Sequence, residues 1–204
     1  MKLYNHFILP HLLDYVMHRQ AIAQQRQILL EVAQGNVLEI GFGTGANLPH
    51  YTPKVRTLQV VEPERMLRQR VDRRIRQSGL QVNWHHLRGE ALPFESEVFD
   101  TVVSTFTLCS VQNPAQVLHE IRRVLRKDGY FLTLEHGLSP DPAIAQWQHR
   151  LNGVMNCCAG GCNLNRPMSL LLKAAGFRTQ AINEFYLPTL PRIGGYLTIA
   201  TLQP

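Results

Sequence analysis

The chain has 204 residues, 45% hydrophobic and 18% charged, which suits one apolar core and excludes a disordered tail. Lys and Arg outnumber Asp and Glu by 21 to 15, a formal charge of +6 that favours anionic surfaces without choosing between nucleic acid and lipid. The four cysteines, Cys109, Cys157, Cys158 and Cys162, form no regular C-x-x-C pair, so reduced thiols in the cytoplasm are expected.

Pro10 opens a first helix whose apolar residues recur at helical spacing from Leu12 to Val32, and Gly35–Asn36 stops it. The opening "MKLYNHFILPHLLDYVMHRQ" has no long apolar region and makes a poor signal peptide, and no stretch is long and apolar enough to span a bilayer. "LYNHFIL" reads as a flap or a surface anchor. After it, β-rich runs alternate with helical segments. "NVLEI" precedes a glycine turn and a short helix near 46–51, and "TLQVVE" precedes "PERMLRQRVDRRIRQSG". "LQVNWHH" runs towards Gly89, and "FDTVVSTF" leads into "NPAQVLHEIRRVLRKDG", with an Asn-Pro start and a Gly stop. "YFLTLEH" leads into "PAIAQWQHRLNGVMNC", and "SLLLKAAG" is followed by "FRTQAINEFYL" and "GGYLTIATLQ". The pattern predicts an α/β fold, a Rossmann-like doubly wound seven-stranded sheet, mostly parallel with an antiparallel edge hairpin. One domain is expected over 1–204. It comprises an N-terminal cap helix in 1–35 and a core in 36–204, with residues 138–167 walling the acceptor side.

"VLEIGFGTGAN" closes the first strand. The first turn of a doubly wound sheet is where nucleotide-like ligands sit, and glycines let them approach the backbone. Gly41-Phe42-Gly43-Thr44-Gly45-Ala46 fits the dinucleotide pattern GxGxxA, but the acid two residues earlier fits E/DxGxGxG instead. Glu39 would repel a pyrophosphate and suits a ligand carrying an ammonium group. Glu62, ending the second strand, is placed to accept from ribose hydroxyls, although an acid before Pro63 also suits a helix start. Gly89, Glu90 and Ala91 fall where an adenine edge would lie, and Met66 is placed to pack on the base.

Taken with these words, "VVEPE", "GEALPFESEVFDTVVSTFTLCSV" and "VLHEIRRVLRKDGYFLTLEHG" make residues 37–137 resemble the class I S-adenosylmethionine-dependent methyltransferases. "TLCSV", "EHG", Trp147 and "GCNLNRP" are similar to the methyltransferase-like 7 group, whose animal members are membrane-associated thiol S-methyltransferases. The opening residues do not match their long hydrophobic N-terminal anchor, so membrane residence of that kind is not expected. The resemblance implies S-adenosylmethionine held by Glu39, Gly41, Gly43, Gly45, Asn47, Glu62, Pro63, Met66, Gly89, Glu90, Ala91, Thr105 and Phe106. It implies a small-molecule methyl acceptor, a thiol sulfur first, with a lipid amine or a quinone carbon as rivals. A non-catalytic donor-binding module is the rival of another class.

The acceptor is expected beyond the ends of the fourth and fifth strands, near Thr107 and His136. Ser104-Thr105-Phe106-Thr107 is not the Asp/Asn-Pro-Pro-Tyr/Phe word used on nucleobase amino groups. His136, titrating near neutrality, is the candidate general base or positioning group, with structural hydrogen bonding as its other reading. "CCAGGCNLNRP" reads as a tight turn or a pocket lining before a metalloid site, because Cys157 and Cys158 are adjacent and no His is close in sequence. No metal is expected. Trp147, Cys162, Asn163, Asn165 and Arg166 match the family's words and border the acceptor pocket on that reading. The six arginines between 65 and 76 read as a solvated face that touches anionic lipid rather than nucleic acid, since no aromatics interleave.

Overall fold

A computed structural model describes residues 4–64 and 66–204, with no account of the Asn5 and His6 side chains. The start of the N-terminal flap, residues 1–3, and Arg65 lie outside the described residues. All seven expected strands form: β1 (Gly35–Ile40), β2 (Val55–Val61), β3 (Val82–His85), β4 (Phe99–Thr105), β5 (Leu125–His136), β6 (Arg178–Tyr186) and β7 (Tyr196–Gln203). They join one sheet in the order β3-β2-β1-β4-β5-β7-β6. Strands β1 to β5 pair in parallel, and β7 lies antiparallel between β5 and β6, with Glu135 opposite Thr198 and Glu184 opposite Thr198 on its other side.

Because helices cover both faces, the central strands read as continuous apolar runs rather than alternating ones. Val37, Val103 and Leu132 point to one side, where Ile22, Leu29 and Leu30 of α2 (Gln20–Leu30) and Val71 of α3 (Arg68–Ser78) cover them. Leu38, Val102 and Phe131 point to the other, under Leu118 and Ile121 of α4 (Pro114–Val124) and Leu172 of α6 (Met168–Ala174). Most of these side chains are fully buried, each contributing about 1.5–3 kcal/mol. Among the described residues, no helix is long and apolar enough to cross a membrane.

Four boundaries differ from expectation. The first helix is two, α1 (Leu9–Met17) and α2, broken where Arg19 is extended at φ −61°, ψ 139°. The apolar rhythm runs through the break and does not announce it. Asp14 on α1 is buried and pairs with Arg70 and with Arg74, whose Nη1 lies 2.5 Å away, so α1 is tied to α3. Burial alone would raise the Asp14 pKa, but Arg74 and Arg70 outweigh it and hold the carboxyl well below the usual carboxylate range. Two of the supposedly solvated arginines are therefore spent inside the fold.

The glycine turn is followed only by a 3-10 turn at Leu48–His50, because Pro53 and the return to β2 at Val55 leave no length for a helix. Helix α3 starts at Arg68, after Leu67 in a left-handed conformation at φ 48°. Helix α4, capped by the Asn113 side chain on the Gln116 N–H, ends at Val124 rather than at Gly129, since Leu125 already pairs with Phe99.

Candidate active site

The loop after β1 is shaped by what it must avoid. Gly41 has φ 78°, and a Cβ there would fall 1.9 Å from Thr107 Oγ1 and 2.6 Å from Thr107 Cβ. Only glycine lets the turns after β1 and β4 meet so closely. Gly43, at φ 53°, is the opposite case: nothing lies within 4 Å of where its Cβ would stand, so its outer face is open to a ligand.

Two carboxylates flank this opening. Glu39 is 1% exposed and accepts from Asn47 Nδ2 at 2.9 Å and from the Tyr51 hydroxyl at 2.7 Å. Behind it the fully buried guanidinium of Arg26 donates from Nη1 to Asn47 Oδ1 and to Thr105 Oγ1, both at 2.5 Å, with its carbon 5.4 Å from the Phe106 ring centroid. Burial pushes Glu39 up to about 7, with Tyr51, Arg26 and Asn47 opposing it, and burial lowers Arg26 to about 10. Glu62 accepts the Gly43 N–H at 3.0 Å and sits above the ordinary carboxylate range because it is buried. Arg74 donates to the Thr44 carbonyl at 2.7 Å, and a surface depression of about 490 Å³ between α1 and α3 opens beside it.

The turn after β4 hangs on one acid. Glu135, fully buried, accepts from the N–H groups of Thr107 at 2.8 Å, Leu108 at 2.9 Å and Cys109 at 3.2 Å, and from Ser104 Oγ at 3.2 Å. Burial raises its pKa to about 8. Phe106 takes φ 52°, a left-handed conformation that costs a non-glycine residue of order 1–2 kcal/mol and turns the chain toward the glycine loop. Opposite lies the loop after α5 (Pro142–Cys158): Asn163 Nδ2 donates to the Cys109 carbonyl at 3.0 Å, and Arg166 donates to the carbonyls of Leu108 and, at 2.7 Å, Val111. Asn163 and Arg166 thus position this turn. Asn165 instead meets His149 Nδ1 at 3.1 Å on the exterior, and Trp147 is 53% exposed beside Arg150. Neither touches the strand ends.

His136 sits at the end of β5 with Nε2 2.7 Å from Cys162 Sγ, while Nδ1 is buried with no partner. Burial opposes its charged form, yet the neighbouring Cys109 and Glu135 outweigh that and raise its pKa. Neither ring nitrogen opens to the cleft, so the geometry offers no base to an acceptor there. The cysteine reading also changes. Cys157 and Cys158 are exposed at the end of α5, whereas Cys162 is buried and joined by Cys109, and the His that is absent nearby in sequence arrives from β5.

Of the remaining expected residues, Gly89 is buried against Ile40, whose Cγ2 would lie 2.8 Å from a Cβ. Glu90 accepts the N–H groups of Gln112 at 3.1 Å and Asn113 at 3.3 Å, Ala91 and Pro63 are exposed, and Met66 is half-buried before α3.

Residues 38–133 match the family described as Methyltransferase domain. The chain is 30% identical over 177 residues to human thiol S-methyltransferase TMT1A, covering 79% of this chain and 69% of that one. The chain belongs to the class I S-adenosylmethionine-dependent methyltransferases. This methyltransferase is also 35% identical over 104 residues to phosphatidylethanolamine N-methyltransferase of Cereibacter sphaeroides, covering 50% of the chain and 51% of that protein. The solved structure of geranyl diphosphate methyltransferase with its donor superposes with a TM-score of 0.71 at 18% identity, covering 96% of this chain and 90% of that one, a likeness of fold.

The donor of this methyltransferase is S-adenosylmethionine, and the glycine loop suits it. The open face at Gly43 adjoins Glu62, which takes the Gly43 N–H, and the turn that follows lacks the long helix whose dipole would hold a diphosphate. Arg26 and Tyr51 had no local signal in the sequence: each works through contacts 12 to 79 residues away. Glu135 stands in the word "EHG", but its hold on the turn after β4 shows only in the fold.

Proposed function

We propose that this methyltransferase transfers the methyl group to the sulfur of a small thiol. The likeness to thiol S-methyltransferase over 79% of the chain carries the reading. The donor supplies a methyl group already activated on a sulfonium, so the chain's task is to align the acceptor and exclude water. On this reading Glu39 faces the donor's ammonium group, Glu62 its ribose, and Met66 with Gly89–Ala91 its base. Gly41 and Thr107 hold the two turns at the separation in-line attack needs, and Phe106 closes the wall. Residues 4–33 cap the pocket through Arg26, and 138–167 wall it opposite through Asn163 and Arg166. The thiol loses its proton to solvent; with a pKa near ~8.5 it needs no protein base.

Tritium-labelled donor offered with short alkyl thiols, phosphatidylethanolamine and demethylated quinones tests this directly. Label is expected in thioethers, at a rate rising with pH as the thiolate fraction rises. Label in the lipid or quinone alone would overturn the thiol reading, and donor binding without transfer to any acceptor would favour a non-catalytic module.

We also infer that the chain rests on an anionic membrane surface. Ile8, Leu12 and Tyr15 on the N-terminal segment and Trp147 and Val154 on α5 are 48–71% exposed, and the Tyr4 hydroxyl joins the two segments by donating to the Cys158 carbonyl at 2.9 Å. Such apolar side chains beside a net charge of +6 suit acidic headgroups and would bring apolar thiols within reach. Co-flotation with phosphatidylserine vesicles is expected, lost in Leu12→Asp/Tyr15→Asp. Absence of wild-type binding, or equal binding by the variant, would contradict it.

A further inference from the structure

Cys109, His136 and Cys162 reach one point from three different elements: the turn after β4, the end of β5 and the loop after α5. All three are buried, at 1%, 9% and 8% exposure, and their ligand atoms lie within 4.8 Å of one another. Zinc bonds of about 2.0–2.3 Å to nitrogen and sulfur separate neighbouring ligands of a tetrahedral site by roughly 3.3–3.8 Å, so small side-chain rotations close this set on an ion. Hydrogen bonding within the group leaves one buried atom unsatisfied. One ring nitrogen of His136 meets a sulfur and the other, buried, meets nothing, whereas buried polar atoms are almost always satisfied.

We propose that Cys109, His136 and Cys162 form a buried site for a thiolate-seeking d10 cation, zinc(II) or copper(I). Two thiols and an imidazole are soft to borderline donors that select these ions over magnesium or calcium. Each thiol gives up its proton on binding, so loading releases two protons and weakens at low pH. Three protein ligands complete a trigonal copper(I) site. Zinc(II) takes a fourth, and the Ser110 hydroxyl, 3.4 Å from Cys109 Sγ, stands nearest in sequence. A bound ion would pin the turn carrying Phe106 and Thr107 to the loop carrying Asn163 and Arg166, the same two segments already joined by hydrogen bonds. The site does not depend on which acceptor is methylated.

The test is titration of the chelator-treated full chain with cobalt(II), zinc(II) and, without oxygen, copper(I). One equivalent of cobalt(II) is expected to give a thiolate charge-transfer band that zinc(II) abolishes, and a chromophoric chelator competition reports copper(I). Cys109→Ser and Cys162→Ser should each weaken binding by more than about a hundredfold, beyond the loss typical of an outer-shell change. Cys157→Ser/Cys158→Ser should leave it intact. X-ray absorption of the loaded wild-type chain is expected to count two sulfur neighbours and a histidine nitrogen, which keeps the proposal testable if a buried variant fails to fold. Absence of stoichiometric binding by any of the ions, an oxygen-only shell, or a band lost with Cys157 and Cys158 instead would overturn it.

Discussion

Gly41→Ala abolishes donor binding and lowers the melting temperature. The added Cβ would meet Thr107 Oγ1 at 1.9 Å, Cγ2 at 2.4 Å and Cβ at 2.6 Å, and the last of these cannot be relieved by turning the side chain. Two costs combine. A left-handed φ of 78° is strained for alanine by about 1–2 kcal/mol, and forcing a methyl into a packed contact adds about 1–3 kcal/mol. The lowest-cost escape is to part the turn after β1 from the turn after β4, which widens the donor cleft. Gly43→Ala pays only the first cost because its surroundings are open. It should lose less stability than Gly41→Ala while still losing donor affinity, since the new methyl occupies the ligand's side of the loop. Calorimetric titration with S-adenosylhomocysteine and thermal melts on both variants separate the two effects. Equal stability of the two variants, or normal binding by Gly43→Ala, would contradict this account of the loop.

The second large effect is one of pH. Ligand-free Glu39, raised from 4.5 to about 7 by burial, holds a proton in mildly acidic solution. Because its folded pKa lies above its unfolded one, the stability tied to this proton is fully present below pH 4.5. It is lost as the pH rises through 7, in all roughly 3 kcal/mol. Donor binding has the opposite slope. An ammonium group facing Glu39 favours the carboxylate, so below pH 7 the donor must expel a proton and affinity falls by up to about tenfold per unit. Glu39→Gln should flatten both profiles and bind the donor about 10–100-fold less tightly, as loss of a charged hydrogen bond implies. Arg26→Met differs: it strands the carboxylate without its buried counter-charge and should cost about 3–5 kcal/mol. A pH-independent affinity in the wild type would remove Glu39 from the donor's ammonium end.

The sheet was legible because each strand is a short β-rich run set off by helical or turn segments. Seven such runs, with no long helix between the last two, were enough to expect an antiparallel hairpin at one edge; β7 and the edge strand β6 form it, with only the four-residue helix Arg192–Gly195 between them. The glycine turn was legible too, because Glu39, Gly41 and Gly43 lie within five residues of one another. Hidden features rest on long-range contacts. Nothing near residue 18 announces the helix break at His18–Arg19, nor that Asp14, one turn earlier, reaches Arg70 and Arg74. Arg26 lies on a helix of glutamines and alanines, and its burial is visible only once Asn47 and Thr105 fold over it. Sequence groups Cys162 with Cys157 and Cys158, whereas in space it meets Cys109 and His136.

A crystal structure with S-adenosylhomocysteine bound tests the central claim most directly. The account predicts the ligand over the open face of Gly43, its amino group toward Glu39 and its ribose hydroxyls on Glu62 in place of the Gly43 N–H. A ligand lodged elsewhere on the sheet, or one whose amino group turns away from Glu39, would contradict it.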